Sequence, residues 1–418
     1  MNTILRAKTT IAPIRSLLRL AKTFHQKYKN MKNLILLLTL ISLLFGCEKE
    51  TTPPPYVNNN QNTPPDEELA DYTVLDGYLG TWDGSTILSA DGNVITVGRT
   101  KGFSNFQMLL IKTNTNGEEI FSSVFHEENS EALGVYEDGQ GNLYVVGKSY
   151  EENSLDDKML AIAKLDSSGN LLWKNAYHSQ ENITGYHITG VTDNEIIISG
   201  SRDSDLVFLK IDSLGQELFF DILDSSYYGT PSSMLVLQNE NILITGTTTA
   251  SEIHLTCFDN DFNFLWEKKH GSTSRFGRST IQLDNGDLIT VGKSTHVING
   301  SNVIDFQKVI ILKTDNSGEL IWENEVGDII YHNDGQAIAE NEDGTFVLTG
   351  YALSGLPSNT DHMLIHIDSE GNEINAKYFT DSKTFRGENI IKTEDGKNVI
   401  TGGYQGGIFF LNVDNEGL

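Results

Sequence analysis

From about Tyr72 onward the sequence repeats itself, and that repeat limits the fold more than any other feature. A short apolar run reaching a glycine returns as "NVITVG", "LYVVG", "IIISG", "ILITG", "LITVG", "FVLTG" and "VITGG", with the glycines at Gly98, Gly147, Gly200, Gly246, Gly292, Gly350 and Gly402. Their spacings run from 46 to 58 residues. A period of that size marks units that bury a core only by stacking on one another. Turn pairs such as Asp91-Gly92, Asn285-Gly286, Asp343-Gly344 and Asp395-Gly396 precede the runs and predict tight hairpins.

A second landmark follows each run: an apolar stretch, then Asp-x-x-Gly, then another apolar stretch, as in "AKLDSSGNLLW" at Ala163–Trp173. The seven copies start at Asn114, Asp166, Asp212, Asp259, Asp315, Asp368 and Asp414. Asp suits the first position of a type I turn and Gly the fourth, where the closing bulge has positive φ. The Asp259 copy departs from the pattern, with Phe262 in place of Gly. Four residues past the glycine stands an aromatic, at Phe121, Trp173, Phe219, Trp266 and Trp322, with Asn375 as the exception. A large ring at one fixed phase is what packing between neighbouring sheets requires.

Each unit therefore reads as four short strands without helical periodicity. The expected fold is all-β, a seven-bladed β-propeller of four-stranded antiparallel blades over residues 72–418. The pattern resembles kelch-type and quinoprotein-type (PQQ-like) bacterial propellers. The resemblance speaks for architecture and is silent on chemistry. The last unit stops at Leu418 before its fourth strand, whereas "DYTVLDGYLGTW" at residues 71–82 has no other place. We expect that segment to supply the missing strand, so that pairing of the N- and C-terminal strands closes the ring and removes exposed edges.

The N-terminal residues read as an address. From Met31, Lys32 gives a positive flank and Leu34–Phe45 an apolar run of 12 residues. A bilayer-spanning helix needs ~20, so the run fits the core of a secretory signal peptide. It ends Leu44-Phe45-Gly46-Cys47, which resembles the lipobox of bacterial lipoproteins. That resemblance implies diacylation of Cys47 and makes residues 1–46 a leader and signal peptide with its functional start at Met31. Residues 47–71 hold five of the eight prolines among Thr and Asn, and read as an extended tether. Glu48 and Glu50 resemble the export tag of surface lipoproteins in the Bacteroidota. The expected location is the cell envelope, as an outer-membrane lipoprotein.

Removing residues 1–46, which carry eight Lys/Arg and no acid, takes the formal net charge from −27 to −35. Such a chain repels nucleic acid, so no nucleic-acid partner is expected. Cys257, in a strand-like run, reads as a buried free thiol. Gly147-Lys148-Ser149 and Gly292-Lys293-Ser294 look like the end of a phosphate loop, but Asn142 and Asp287 stand where its first Gly belongs. His362 and His366 lie four apart in a strand, ~13 Å, too far for one metal ion. No catalytic, cofactor or metal residue is assigned, and Cys47 is the one site residue, for lipidation.

These readings favour a binding or scaffolding module over an enzyme. It would be a monomer, held to a membrane by its anchor and gripping a protein or glycan partner. The variable loops Lys148–Asp157, Lys293–Asp305 and Tyr351–Asp361 are the candidate recognition loops. The alternative is an envelope hydrolase, or a quinoprotein-like enzyme, with its site in the central depression. The vicinal Cys pair of many quinoproteins is missing, and three copies keep the Trp.

Overall fold

A computed structural model describes residues 72–76, 78–79 and 84–414, apart from 101–105, 126–128, 151–157, 180, 193, 204, 224–230, 272–273, 299–303, 329–330, 355–359, 380–383 and 405–406. Cys47 and the tether lie outside the described residues, as do the tips of the three candidate loops. The chain divides at Pro64/Pro65, and all described residues belong to the second unit.

That unit is a β-propeller of small antiparallel sheets. The third copy shows the plan. Ile183–Thr192, Glu195–Arg202, Asp205–Asp212 and Glu217–Leu223 form a four-stranded meander in chain order, hydrogen-bonded neighbour to neighbour. Ser130–Tyr177 and Pro231–His270 repeat it. The last sheet takes Phe385–Lys392, Asn398–Tyr404 and Gly407–Val413, and its fourth strand is Tyr72–Asp76, antiparallel with Tyr72 opposite Leu411. The 71–82 segment does not remain in that sheet. Tyr78–Leu79 crosses to pair with Thr100 and Arg99, which makes the first sheet five-stranded.

Among the described residues hydrogen bonding separates six sheets, not the seven expected. Five are small blades, four of four strands and one of five. The sixth has eight strands over residues 275–379. Its two meanders, 275–326 and 331–379, are joined by one parallel pairing, Gln307 with His332. The join arises because the Leu288–Ile298/Ile304–Thr314 hairpin has strands of 11 residues and reaches past its own outer strand to the next meander.

In the meanders the two middle strands are mostly buried, Met108–Thr113 throughout and Asp205–Asp212 except at its ends, because neighbouring sheets cover both faces. The outer strands start exposed and become less so, Leu171–Tyr177 ending buried and Glu217–Leu223 half-buried. The turns behave as the Asp-x-x-Gly pattern predicts. Asp166 Oδ1 accepts the Ser168 and Asn170 N–H groups at 2.9 Å each, and Gly169 has φ of 82°.

The outer-strand aromatic of one meander lies on the turn glycine of the next. A Cβ on Gly371 would come within 2.5 Å of Trp322, one on Gly318 within 2.6 Å of Trp266, and one on Gly215 within 3.1 Å of Trp173. Where Phe262 replaces the glycine, the residue still adopts φ of 62°. Its ring stacks on Phe208 (4.4 Å) and on Phe219 of the preceding meander (5.1 Å).

The recurrent glycine of the second strand is not the strand end that the sequence suggested; Leu143–Tyr150 continues three residues beyond Gly147. The reason for the glycine lies in the neighbouring inner strand, which bulges opposite it. A Cβ on Gly147 would overlap the Glu131 carbonyl oxygen, and one on Gly292 the Phe276 carbonyl oxygen.

Candidate functional site: the axial cavity

The inner-strand bulges also define the site. A bulge inserts one unpaired residue and re-aims its side chain. The registers skip Leu133, Tyr186, Ser232, Arg278, Gln336 and Glu388. All six line one cavity of about 340 Å³, with Ser85 contributed by the first sheet. The inner strand of every sheet thus reaches a common axis. The residue it presents there differs from copy to copy.

The position after the bulge reaches sideways to the next inner strand. Asn389 Nδ2 donates to the Gly84 carbonyl at 2.9 Å, and the His187 imidazole donates to the Pro231 carbonyl. That bond leaves His187 Nε2 as an acceptor on the cavity wall, buried and without a partner among the described atoms. Ser233 Oγ is in the same condition. A buried polar atom left unpaired costs about 1–3 kcal/mol. Burial pushes the His187 imidazole down to about 4, so it is neutral at pH 7.

Arg278 is anchored where it enters the cavity. Its Nε and Nη2 donate to the two carboxylate oxygens of Asp334, at 3.1 and 2.8 Å. Lys293 Nζ lies 3.1 Å from the same carboxylate, and the Tyr351 hydroxyl donates to it at 3.0 Å. Burial alone would raise the Asp334 carboxyl, but the Arg278 bonds and the Arg278 and Lys293 charges hold it below the usual carboxylate range. Burial, then the Asp334 charge, pushes the Tyr351 hydroxyl up to about 12. The Arg386 guanidinium covers the Tyr351 ring at 4.2 Å.

The two Gly-Lys-Ser lysines therefore sit in strands and make ion pairs: Lys293 with Asp334, and Lys148 with Glu131 at 2.9 Å. His362 and His366 lie in Thr360–Ile367 and bond separate hydroxyls, Thr349 and Thr345, each at 2.8 Å. No group of three or more His, Cys, Asp or Glu able to hold a metal occurs among the described residues. Cys257 is buried and free, and burial pushes its thiol up to about 11.

Sequence reading missed the cavity residues. Their only local signal is the Gly-x step in Gly185-Tyr186, Gly277-Arg278, Gly335-Gln336 and Gly387-Glu388. It also missed a second bulge, on every outer strand but Tyr72–Asp76, that carries a half-exposed aliphatic residue: Ile120, Leu172, Leu218, Leu265, Ile321 and Ile374.

No protein-family model and no curated protein matches the chain. Solved structures do. YCF48 bound to D1 peptide is similar with a TM-score of 0.51 and 11% identity, over 84% of this chain and 99% of that one. The extracellular domain of BT3049, a candidate hybrid two-component system of B. thetaiotaomicron, gives 0.49 and 12%, over 84% of this chain and 42% of that one. A candidate 6-phosphogluconolactonase (BF1038) of Bacteroides fragilis gives 0.48 and 16%, over 74% and 88%. At such identities the likeness to YCF48 is one of fold, and the fold is the β-propeller.

Proposed function

We propose that this chain is a binding module of the bacterial cell envelope: a seven-bladed propeller, lipid-anchored through Cys47 at the outer membrane, that receives a protein or glycan partner at its axis. The observation that carries the binding reading is the set of inner-strand bulges. The scaffold repeats its turns, glycines and aromatics, yet changes the axial residue at every step from Leu133 through Tyr186, Ser232, Arg278 and Gln336 to Glu388. Variation confined to one cavity of a repeated frame suits recognition. A paired-carboxylate hydrolase needs two carboxylates facing one space, and among the described residues the cavity lining supplies one, Glu388. YCF48, bound to a peptide, is a precedent for a propeller that carries such a ligand.

The seven-blade count treats the eight-stranded sheet as two blades, because each half is a complete antiparallel meander and one pairing links them. Closure is supported by hydroxyl bridges that match at two junctions. Thr280 joins Thr290 of its own meander (2.8 Å) to Thr245 of the preceding one (2.6 Å). Thr86 likewise joins Thr96 (3.1 Å) to Thr401 (2.8 Å), 315 residues away. A Cβ at Gly117 would meet Phe410, on the third strand of the last sheet, at 2.9 Å, a further contact across the same junction.

Two measurements test the proposal. A photo-crosslinking residue at Gln336 should capture a discrete adduct in intact envelopes, while one at Lys397, on an exposed hairpin, should not; equal capture at both positions removes the axis from the proposal. Cys47→Ser should abolish labelling by a fatty-acid analogue and release the protein from membranes, and unchanged fractionation refutes the anchor.

A further inference from the structure

We infer that the axial cavity binds a neutral, polyhydroxylated ligand of the size of a hexose unit. The inference rests on the binding reading above and names the ligand class of the same site. Four features of the cavity converge on that chemistry.

The first is a pair of buried polar atoms, the acceptor His187 Nε2 and the hydroxyl Ser233 Oγ, which stand on adjacent inner strands and have no partner among the described atoms. The Pro231 carbonyl fixes the imidazole proton on the other nitrogen, so Nε2 can only accept, whereas the hydroxyl can take either role. A ligand that satisfies Nε2 must bring a hydrogen-bond donor. The second is the presence of donors on the same wall: the Arg278 guanidinium and the Gln336 amide. The ligand must accept as well as donate, and a hydroxyl does both through one oxygen.

The third is charge. The lining carries one guanidinium and one carboxylate, Arg278 and Glu388, and Arg278 is already held in a two-point bond by Asp334. A balanced wall of this kind gives little advantage to an anion or a cation. The fourth is shape. Tyr186 offers a phenol ring in the lining, an apolar surface with a polar tip, which suits the C–H face of a sugar ring. A volume of about 340 Å³ lies at the lower end of the ~300–1,000 Å³ typical of small-ligand pockets. It takes one or two sugar rings and no folded segment.

The test is saturation-transfer NMR on the full chain in detergent micelles. The probes are glucose, galactose, N-acetylglucosamine, galacturonate and the blocked peptide acetyl-Gly-Gln-Gly-amide. At least one neutral sugar should receive saturation. Tyr186→Leu and Gln336→Leu should each weaken its binding tenfold or more with melting curves kept cooperative, while Lys397→Ala should leave it unchanged. Two variants are named so that misfolding of one leaves the other to decide. Transfer to no neutral sugar overturns the inference, as does transfer only to galacturonate or to the peptide, or neutral-sugar transfer that both folded variants leave intact. A Gln336 crosslink to a protein without sugar transfer would sink this inference alone. Sugar transfer without any crosslinked partner would sink only the protein-partner reading.

Discussion

Two glycines with different reasons for being glycine separate backbone strain from steric exclusion. Gly344 sits in a hairpin at φ of 80° with open space where a Cβ would stand. Gly344→Ala should therefore cost only the left-handed penalty, about 1 kcal/mol. Gly292 faces the Phe276 carbonyl oxygen of the bulged inner strand, which a Cβ would overlap. Gly292→Ala must force that strand apart and should cost about 3–5 kcal/mol. Urea denaturation of the two variants should give clearly separated midpoints; equal losses would mean that the bulge does not dictate the glycine. His362 is the other informative residue. It is buried, accepts from or donates to Thr349, and burial pushes its imidazole down to about 3. The unfolded chain takes up this proton near pH 6.5 and the folded one does not, so stability is full above ~6.5 and falls as the pH drops toward 3. Between pH 7 and 5 the loss from this group should be about 2 kcal/mol. His362→Leu should remove this group's share of the slope and leave that of His187, whose imidazole is also pushed down, so an unchanged slope would refute the account.

At the scale of the strand and turn, Phe262 inverts the usual order of substitutions. Replacing it with Gly removes its stacking on Phe208 and Phe219 but relieves the φ of 62°. Replacing it with Ala removes the stacking and keeps the strain. Phe262→Ala should therefore be the less stable by about 1 kcal/mol, and a thermal melt in which Ala outlasts Gly would refute the account. This element shows what was legible. The turns could be read because Asp and Gly encode their own geometry locally, and the aromatic phase because it recurs. The Phe262 departure was visible, but not its consequence, since its partners lie on another strand and another sheet. The inner bulges were barely legible. A bulge is a relation between two strands; a preceding glycine, as in Gly335-Gln336, is its one trace, and Leu133 carries no mark of it. The glycines opposite were seen, and were assigned to strand ends, because the carbonyl they accommodate belongs to a neighbour. The joined eight-stranded sheet escaped for a similar reason. It depends on how far one hairpin extends, and the sequence of that hairpin looks like any other apolar run.

For the whole molecule, the N-terminal segment is where the proposed ring can be tested. Deleting residues 48–70, read from the sequence as a tether, should leave the melting temperature nearly unchanged. Deleting residues 48–82 removes Tyr72–Asp76 from the last sheet and Tyr78–Leu79 from the first. Each lost backbone hydrogen bond is worth about 0.5–1.5 kcal/mol net, and a fold of this kind has about 5–15 kcal/mol to lose. The longer deletion should aggregate or melt far below the shorter; coincident melts would dissociate the segment from the fold. The same pairing sets a schedule for the living cell. Tyr72 meets Leu411, a residue made 339 positions later. At about 5–20 residues per second, synthesis takes roughly 20–70 s to cover that distance. For all of that time the strand that completes the last sheet waits with an open edge. The first of the described strands is the last to be paired, and a chaperone that guards it needs to act only until the final sheet emerges.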